Sequence, residues 1–184
     1  MPVTIKTYRT VALEDPERQW ELLRGHLMEK PAMSVSHNRT MARLAHQLSR
    51  QIDVDHFEVR TNTGRLRYAD ETYFIPDVHV VPVTFLATDD GQETASLEVI
   101  GAAMPFVAEV WSSSTGEYDV DRKLLEYQRR GDVEIWRIHP YDRTLRTWIR
   151  QPDGSYSERL YSSGMVQPSA LVGASIDLDE LFSL

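Results

Sequence analysis

Apolar residues recur along this chain with two periods, and the switches between them mark out its elements. Trp20-Glu21-Leu22-Leu23 and His26-Leu27-Met28-Glu29 flank Arg24-Gly25, which reads as a hairpin. Residues 10–19 before it are a polar lead-in with the length of a short helix. Met41, Leu44, Ala45, Leu48 and Ile52 then follow at helical spacing, with Ser36 as the N-cap candidate and a stripe that reaches back to His37. From Phe57 to about Val83 the period is that of strands. Phe57–Val59 precedes a turn around Asn62-Thr63-Gly64, and Tyr73-Phe74-Ile75 runs on into Pro76-Asp77-Val78-His79-Val80-Val81. Residues 87–96, with Asp89-Asp90-Gly91, read as a flexible polar loop.

Phe106-Val107-Ala108-Glu109-Val110-Trp111 is a near-continuous apolar run, the pattern of a strand covered on both faces. Ser112 to Gly116 is a turn. A helix over 117–130 turns Val120, Leu124 and Tyr127 inward and stops at Gly131. Val133–Ile138 is a strand ended by Pro140, and Leu145–Arg150 alternates cleanly. Gln151-Pro152-Asp153-Gly154 turns into Ser155–Leu160, and Asp177–Phe182 begins a short closing helix. Strand, helix and strand across 106–138 make a βαβ unit, whose strands pair in parallel through a right-handed crossover. The expected fold is α/β (α+β): a mixed sheet flanked by helices, with an N-terminal hairpin. Without repeats or long linkers, residues 1–184 read as one domain with 1–18 as lead-in.

Composition narrows the chemistry. Hydrophobic residues at 41% and charged residues at 26% suit a soluble globular domain. No apolar run approaches the roughly 18 residues of a membrane span. The first residues show no apolar leader, and cysteine is absent, which together fit a cytoplasmic chain. Any metal must therefore be held by oxygen or imidazole, which favours a hard cation such as Mg²⁺ or Mn²⁺. The net charge of −8 argues against a broad grip on nucleic acid, unless a basic patch or a bound divalent cation reverses the local field. Nucleophile-elbow glycines, a Gly-rich phosphate loop and zinc-spaced histidines are all missing.

Two carboxylates interrupt apolar strands, Asp77 and Glu109, and burial of each demands a partner. On neighbouring strands they could share a divalent cation in an open, oxygen-rich site suited to phosphoryl chemistry. Asp119, Lys123 and Tyr127, four apart, line one helix face, from which Lys123 could reach the strand end. Each group also has a purely structural reading. Asp77 after a proline could start or bend a strand, and Glu109 could pair with an arginine. Asp119 and Lys123 could be a surface ion pair, and His37 a satisfied core histidine.

The ordered set Pro76-Asp77, Glu109-Val110 and Lys123 resembles the PD-(D/E)XK nuclease superfamily. Within it, the chain resembles the Uma-type family of restriction-endonuclease-like proteins over about residues 18–184. The Trp20–Leu27 hairpin, Ser36-His37-Asn38, Glu109-Val110-Trp111-Ser112-Ser113-Ser114-Thr115, Glu134–Pro140 and Leu178–Phe182 carry the likeness. The resemblance implies metal-assisted hydrolysis of phosphodiester bonds, in DNA first, by a homodimer. Asp77, Glu109 and the Val110 carbonyl would hold Mg²⁺ or Mn²⁺. Lys123 would be the catalytic lysine, moved from strand to helix because Trp111 stands where a strict motif has lysine. His37 would line the same cleft, with Asp119, Tyr127 and His26 in support. Arg24-Gly25-His26 replaces the family's usual Asp-Gly-Glu, which removes a carboxylate, and His139-Pro140 replaces Asp-Pro. The alternative is a nuclease-fold module that binds nucleic acid or protein without cleaving it, and a third reading is hydrolysis of another phosphoester.

Overall fold

The computed structural model describes residues 2–69, 71–86, 97–112 and 116–183, and the side chains of 116–120 lie outside that description. The 87–96 loop and residues 113–115 of the serine-threonine turn are therefore outside the described residues.

The lead-in contains helix α1 (Ile5–Glu14), capped by Thr4, and it belongs to the core. Its Tyr8 and Ala12 are buried against Leu22 and Tyr73. The hairpin forms as expected from β1 (Trp20–Leu23) and β2 (His26–Glu29). Arg24 and Gly25 both take positive φ, at 48° and 78°, the conformation that a two-residue hairpin turn requires. A side chain at position 25 would also meet Pro2, whose Cβ lies 2.5 Å from where one would start.

Helix α2 (Val35–Ser49) starts two residues earlier than expected. Ser34, not Ser36, takes the extended cap conformation, and its side chain accepts the amide of His37. Ser36 is thus inside the first turn. Its spacing to the apolar stripe is the same to within one turn, so periodicity alone does not separate the two serines.

The strands β3 (Phe57–Thr61), β4 (Arg65–Tyr68), β5 (Thr72–Phe74) and β6 (Val78–Pro82) lead through the short helix α3 (Val83–Leu86) and β7 (Val99–Ile100) to β8 (Phe106–Val110). Helix α4 (Gly116–Arg130) follows, stopped by Gly131 at φ 84°. The chain closes with β9 (Glu134–His139), β10 (Thr144–Arg150), β11 (Tyr156–Tyr161), the pair β12 (Met165–Val166) and β13 (Ile176–Asp177), and α5 (Leu178–Leu181). The six-stranded sheet runs β11-β10-β9-β8-β6-β3, and the five-stranded sheet β2-β1-β5-β4-β7. Among the described strands of the larger sheet only β8 and β9 pair in parallel, as a strand-helix-strand unit demands.

One expectation is corrected. Residues 73–81 are not one strand: β5 belongs to the smaller sheet and β6 to the larger, and Ile75-Pro76-Asp77 crosses between them. Pro76 has no N–H to give to a ladder, so the run breaks there although apolar residues continue on both sides of it. Asp77 stands at the entrance of β6.

Alternation along the strands divides the larger sheet. Val78, Val80, Phe106, Ala108, Val110 and Trp136 pack toward Leu44 and Leu48 of α2. Val81, Val107 and Ile135 pack on the other side, with Phe74 and Leu66 of the smaller sheet and Tyr127 of α4. Full burial of each such side chain contributes about 1.5–3 kcal/mol. Glu109 shares the phase of Val107, so it faces α4 and the smaller sheet.

His79 lies in this second layer, fully buried, with neither ring nitrogen hydrogen-bonded among the described residues. Arg60, its register partner on β3, faces it, and Arg130 of α4 and Lys30 add positive charge. The Glu98 carboxylate and the His79 ring both border Gly64, 3.2 Å and 3.4 Å from where a Cβ there would start. Burial first, and then the Arg130, Arg60 and Lys30 charges, push the His79 pKa down to about 3. The folded chain keeps this ring neutral where the unfolded chain, with a pKa near ~6.5, takes up a proton. Its contribution is therefore complete above about pH 6.5 and drains away as the pH falls toward 3, by at most about 1.4 kcal/mol per pH unit. Denaturation midpoints of wild type and His79→Gln, compared near pH ~7 and ~5, should show a smaller acid loss in the variant. Identical acid losses would remove His79 from the account.

Candidate functional site

Asp77 ties three elements together. Its Oδ2 accepts a hydrogen bond from Nε2 of His37 at 2.8 Å and another from the Val110 amide at 2.8 Å. A carboxylate can only accept, so Nε2 of His37 carries the proton. The capped first turn of α2 aims His37 inward, and its side chain is fully buried. Asp77 Oδ1 is buried and takes no hydrogen bond among the described residues, but the ammonium of Lys30 lies 2.7 Å away as an ion pair. Lys30 itself donates to Asn62 Oδ1 at 2.7 Å and to the Ile75 carbonyl at 2.8 Å.

A second knot lies alongside. Glu109 Oε1 accepts from the Tyr127 hydroxyl at 2.6 Å and has the Lys123 ammonium 3.5 Å away. Lys123 donates to Glu21 Oε1 at 2.9 Å and stands over the Phe74 ring. The same Glu21 oxygen accepts the Ile75 amide at 2.8 Å. Glu21, Asp77 and Glu109 thus share one buried region with Lys30, Lys123 and His37. Removal of one partner from such a pair leaves an uncompensated charge, at a cost of about 3–5 kcal/mol.

The two carboxyl groups are tuned apart. Burial would raise Asp77, but the Lys30 charge and the His37 hydrogen bond outweigh it and hold the group well below the usual carboxylate range. Burial dominates at Glu109, is only partly offset by Lys123, is reinforced by Asp77, and lifts it to about 7. Burial and the adjoining Glu109 carboxyl push the Tyr127 phenol far above its ordinary value, so it remains a donor.

The structure gathers Asp77, Glu109, Lys123, His37 and Tyr127 into one region, with Val110 joined through its N–H. Lys123 is buried rather than part of a surface pair, and the partners of Glu109 are a lysine and a tyrosine rather than an arginine. The side chain of Asp119 lies outside the described residues. His26 does not join the group: it is exposed on β2 and lines a separate pocket with Leu23, Arg24, Arg122 and Glu126. Glu21, Lys30 and Asn62 are the members that sequence reasoning missed. The acid within Trp20-Glu21-Leu22-Leu23 was a usable signal, because a strand this apolar leaves little room for an exposed face. Lys30 gave none.

In kind, the site suits a hard divalent cation. Asp77 Oδ1 takes no hydrogen bond among the described residues, the Tyr127 and Lys123 contacts of Glu109 both fall on its Oε1, and all the carboxylate ligands on offer are oxygens. No three acidic or histidine side chains among the described residues already converge as a ready-made cage. Mg²⁺ commonly keeps several waters beside one or two carboxylates, so a full cage is not required.

Beyond Val110 the same strand ends open into a groove of about 360 Å³. Trp111 stacks on His139 with ring centres 4.3 Å apart, and Tyr141 meets Trp111 edge-on at 5.6 Å. Arg137, the register partner of Glu109, lines the groove with Arg146. Arg137 pairs with the exposed Asp121 at 2.7 Å, and Arg146 pairs with Glu158. Exposed pairs of this kind are weak and exchange readily for a better anion.

A search of curated proteins found no significant match. Among solved structures, the chain is similar to the crystal structure of "a putative nuclease belonging to DUF820" from Anabaena variabilis. The TM-score is 0.80 at 17% identity, with 98% of each chain covered, a likeness that establishes the fold. A family model described as "Putative restriction endonuclease" matches residues 5–179, and the chain belongs to that family, Uma2.

Proposed function

We propose that this chain is an endonuclease that hydrolyses phosphodiester bonds in nucleic acid, DNA first, with Mg²⁺ or Mn²⁺ as cofactor. The observation that supports this reading is that Asp77, 32 residues before Glu109 in sequence, is hydrogen-bonded to the amide of the very next residue, Val110, and lies near enough for its charge to act on Glu109, which also has the helix-borne amine of Lys123 3.5 Å away. Asp77 and Glu109 would hold the cation, with the Val110 carbonyl as a further ligand. When bound, the ion supplies Lewis acidity toward the phosphoryl oxygen and an acidified water.

The protein's own groups prepare that step. His37 and the Val110 amide fix the Asp77 carboxylate in place. Tyr127 does the same for Glu109. Lys123 stands where its charge can orient water or offset the charge that grows on the phosphate during attack. The water oxygen would bond to phosphorus as the bond from phosphorus to the ester oxygen breaks; the water gives up one proton to solvent and the leaving oxygen takes one up, so no net proton is consumed. The Trp111–His139 stack and the flanking arginines would seat the substrate strand, by stacking on bases and by contact with phosphates. The same reading includes a homodimer in a cytoplasmic setting, and no helix among the described residues is long and apolar enough to cross a membrane.

Purified protein with Mn²⁺ or Mg²⁺ should cleave within a panel of DNA and RNA substrates. Glu109→Gln and Lys123→Met should each slow cleavage by roughly a hundredfold or more while circular dichroism stays native. Cleavage that survives both substitutions would assign the activity to another site or another protein.

The net charge of −8 favours a second reading, a nuclease-fold module that binds without cleaving. Calorimetry separates the two, because this second reading requires no Mn²⁺ binding by the wild type. A fluorescence-anisotropy titration of labelled DNA should show Trp111→Ala weakening binding by about tenfold, in line with one lost base stack. Unchanged affinity would move the substrate away from this groove.

A further inference from the structure

We propose that Lys30 is a built-in counter-cation that competes with the divalent metal for Asp77, so that metal binds there only as the Lys30 ammonium withdraws. The inference deepens the nuclease reading and rests on its metal site.

The ammonium is seated rather than adventitious. Lys30 is buried, and Asn62 Oδ1 at 2.7 Å and the Ile75 carbonyl at 2.8 Å hold its nitrogen 2.7 Å from Asp77 Oδ1. That oxygen takes no hydrogen bond among the described residues, so the lysine charge is what answers it. The other Asp77 oxygen is already committed to His37 and the Val110 amide. A metal approaching Asp77 therefore comes to the oxygen that Lys30 faces. A divalent ion and an ammonium on one buried oxygen repel strongly, because little water screens them.

Lys123 does not share this position. It sits between Glu21 and Glu109, on the other candidate ligand. Each candidate ligand thus has its own ammonium, and the buried region is largely charge-compensated without a metal. Withdrawal of Lys30 is feasible on a flexible four-carbon stem, but it strips the buried Ile75 carbonyl of its donor. Metal binding is in this way coupled to the link between the two sheets, and the wild-type affinity is held down.

The test is calorimetric titration of MnCl₂ into wild type, Lys30→Met and Lys30→Gln, with folding checked by circular dichroism. Loss of the competing charge should tighten Mn²⁺ binding by about tenfold or more in both variants. Lys6→Gln, the same charge change at an exposed position on α1, should leave the affinity unchanged. Equal or weaker binding in the folded Lys30 variants, or an equal gain in Lys6→Gln, overturns the proposal and leaves the metal site standing. No binding by any of these proteins overturns both. If the Lys30 variants do not fold, wild-type crystals grown with Mn²⁺ decide. Manganese on Asp77 with the Lys30 nitrogen displaced supports the competition. Manganese on Asp77 with that nitrogen still in place overturns it, and no manganese on Asp77 overturns the metal site as well.

Discussion

Ile75 is the hinge between two hydrogen-bonding systems, and side chains complete what the sheets there do not. Its amide goes to Glu21 and its carbonyl to Lys30, while Pro76 after it has no amide to satisfy. A buried peptide group left without a partner costs about as much as a lost hydrogen bond, so the crossing is stable only with these two side chains in place. Each of them brings a charge into the interior, and those charges must in turn be answered. Lys30 is answered by Asp77, and Glu21 by Lys123, which also reaches Glu109. The acid-rich region is thus part of what joins the sheets, as well as the proposed site for chemistry.

This double duty shapes the electrostatics. A site built only for a cation would hold carboxylates and little else, and would depend on the ion for charge balance. Here two lysines supply most of that balance internally, while burial leaves Glu109 harder to ionise than an ordinary carboxyl group. The acidic surface total of the chain therefore says little about the interior, where opposite charges nearly match. Sequence charge averages over both regions and sees neither.

Much of the frame was legible from pattern. The apolar stripe of α2, the hairpin with its Arg24-Gly25 turn, and the strand-helix-strand unit around α4 all follow from local period and turn chemistry. Glu109 stood out because it breaks a strand buried on both faces. Lys123 was found through its four-residue spacing to Tyr127. The failures have a common origin in tertiary context. Ser34 and Ser36 are equally good caps until His37 has a partner to reach. Residues 73–81 read as one strand because both sheets bury apolar residues with the same period. Lys30, flanked by Glu29 and Pro31, looks like any exposed lysine, and only the fold of the hairpin over Asn62 and Asp77 buries it.

If Lys123 is the working amine, as proposed, its place on α4 bears on how such a scaffold can diversify. A lysine two residues after Glu109, just past the end of β8, would be tied to that acid by the run of the strand, and any change at the strand end would disturb both. With the amine carried by α4, the strand terminus is released from that duty, and an indole occupies it, stacked on the imidazole of β9. On the proposed reading, residues at that end of the sheet can change without moving the cationic group, which stays on a separate element.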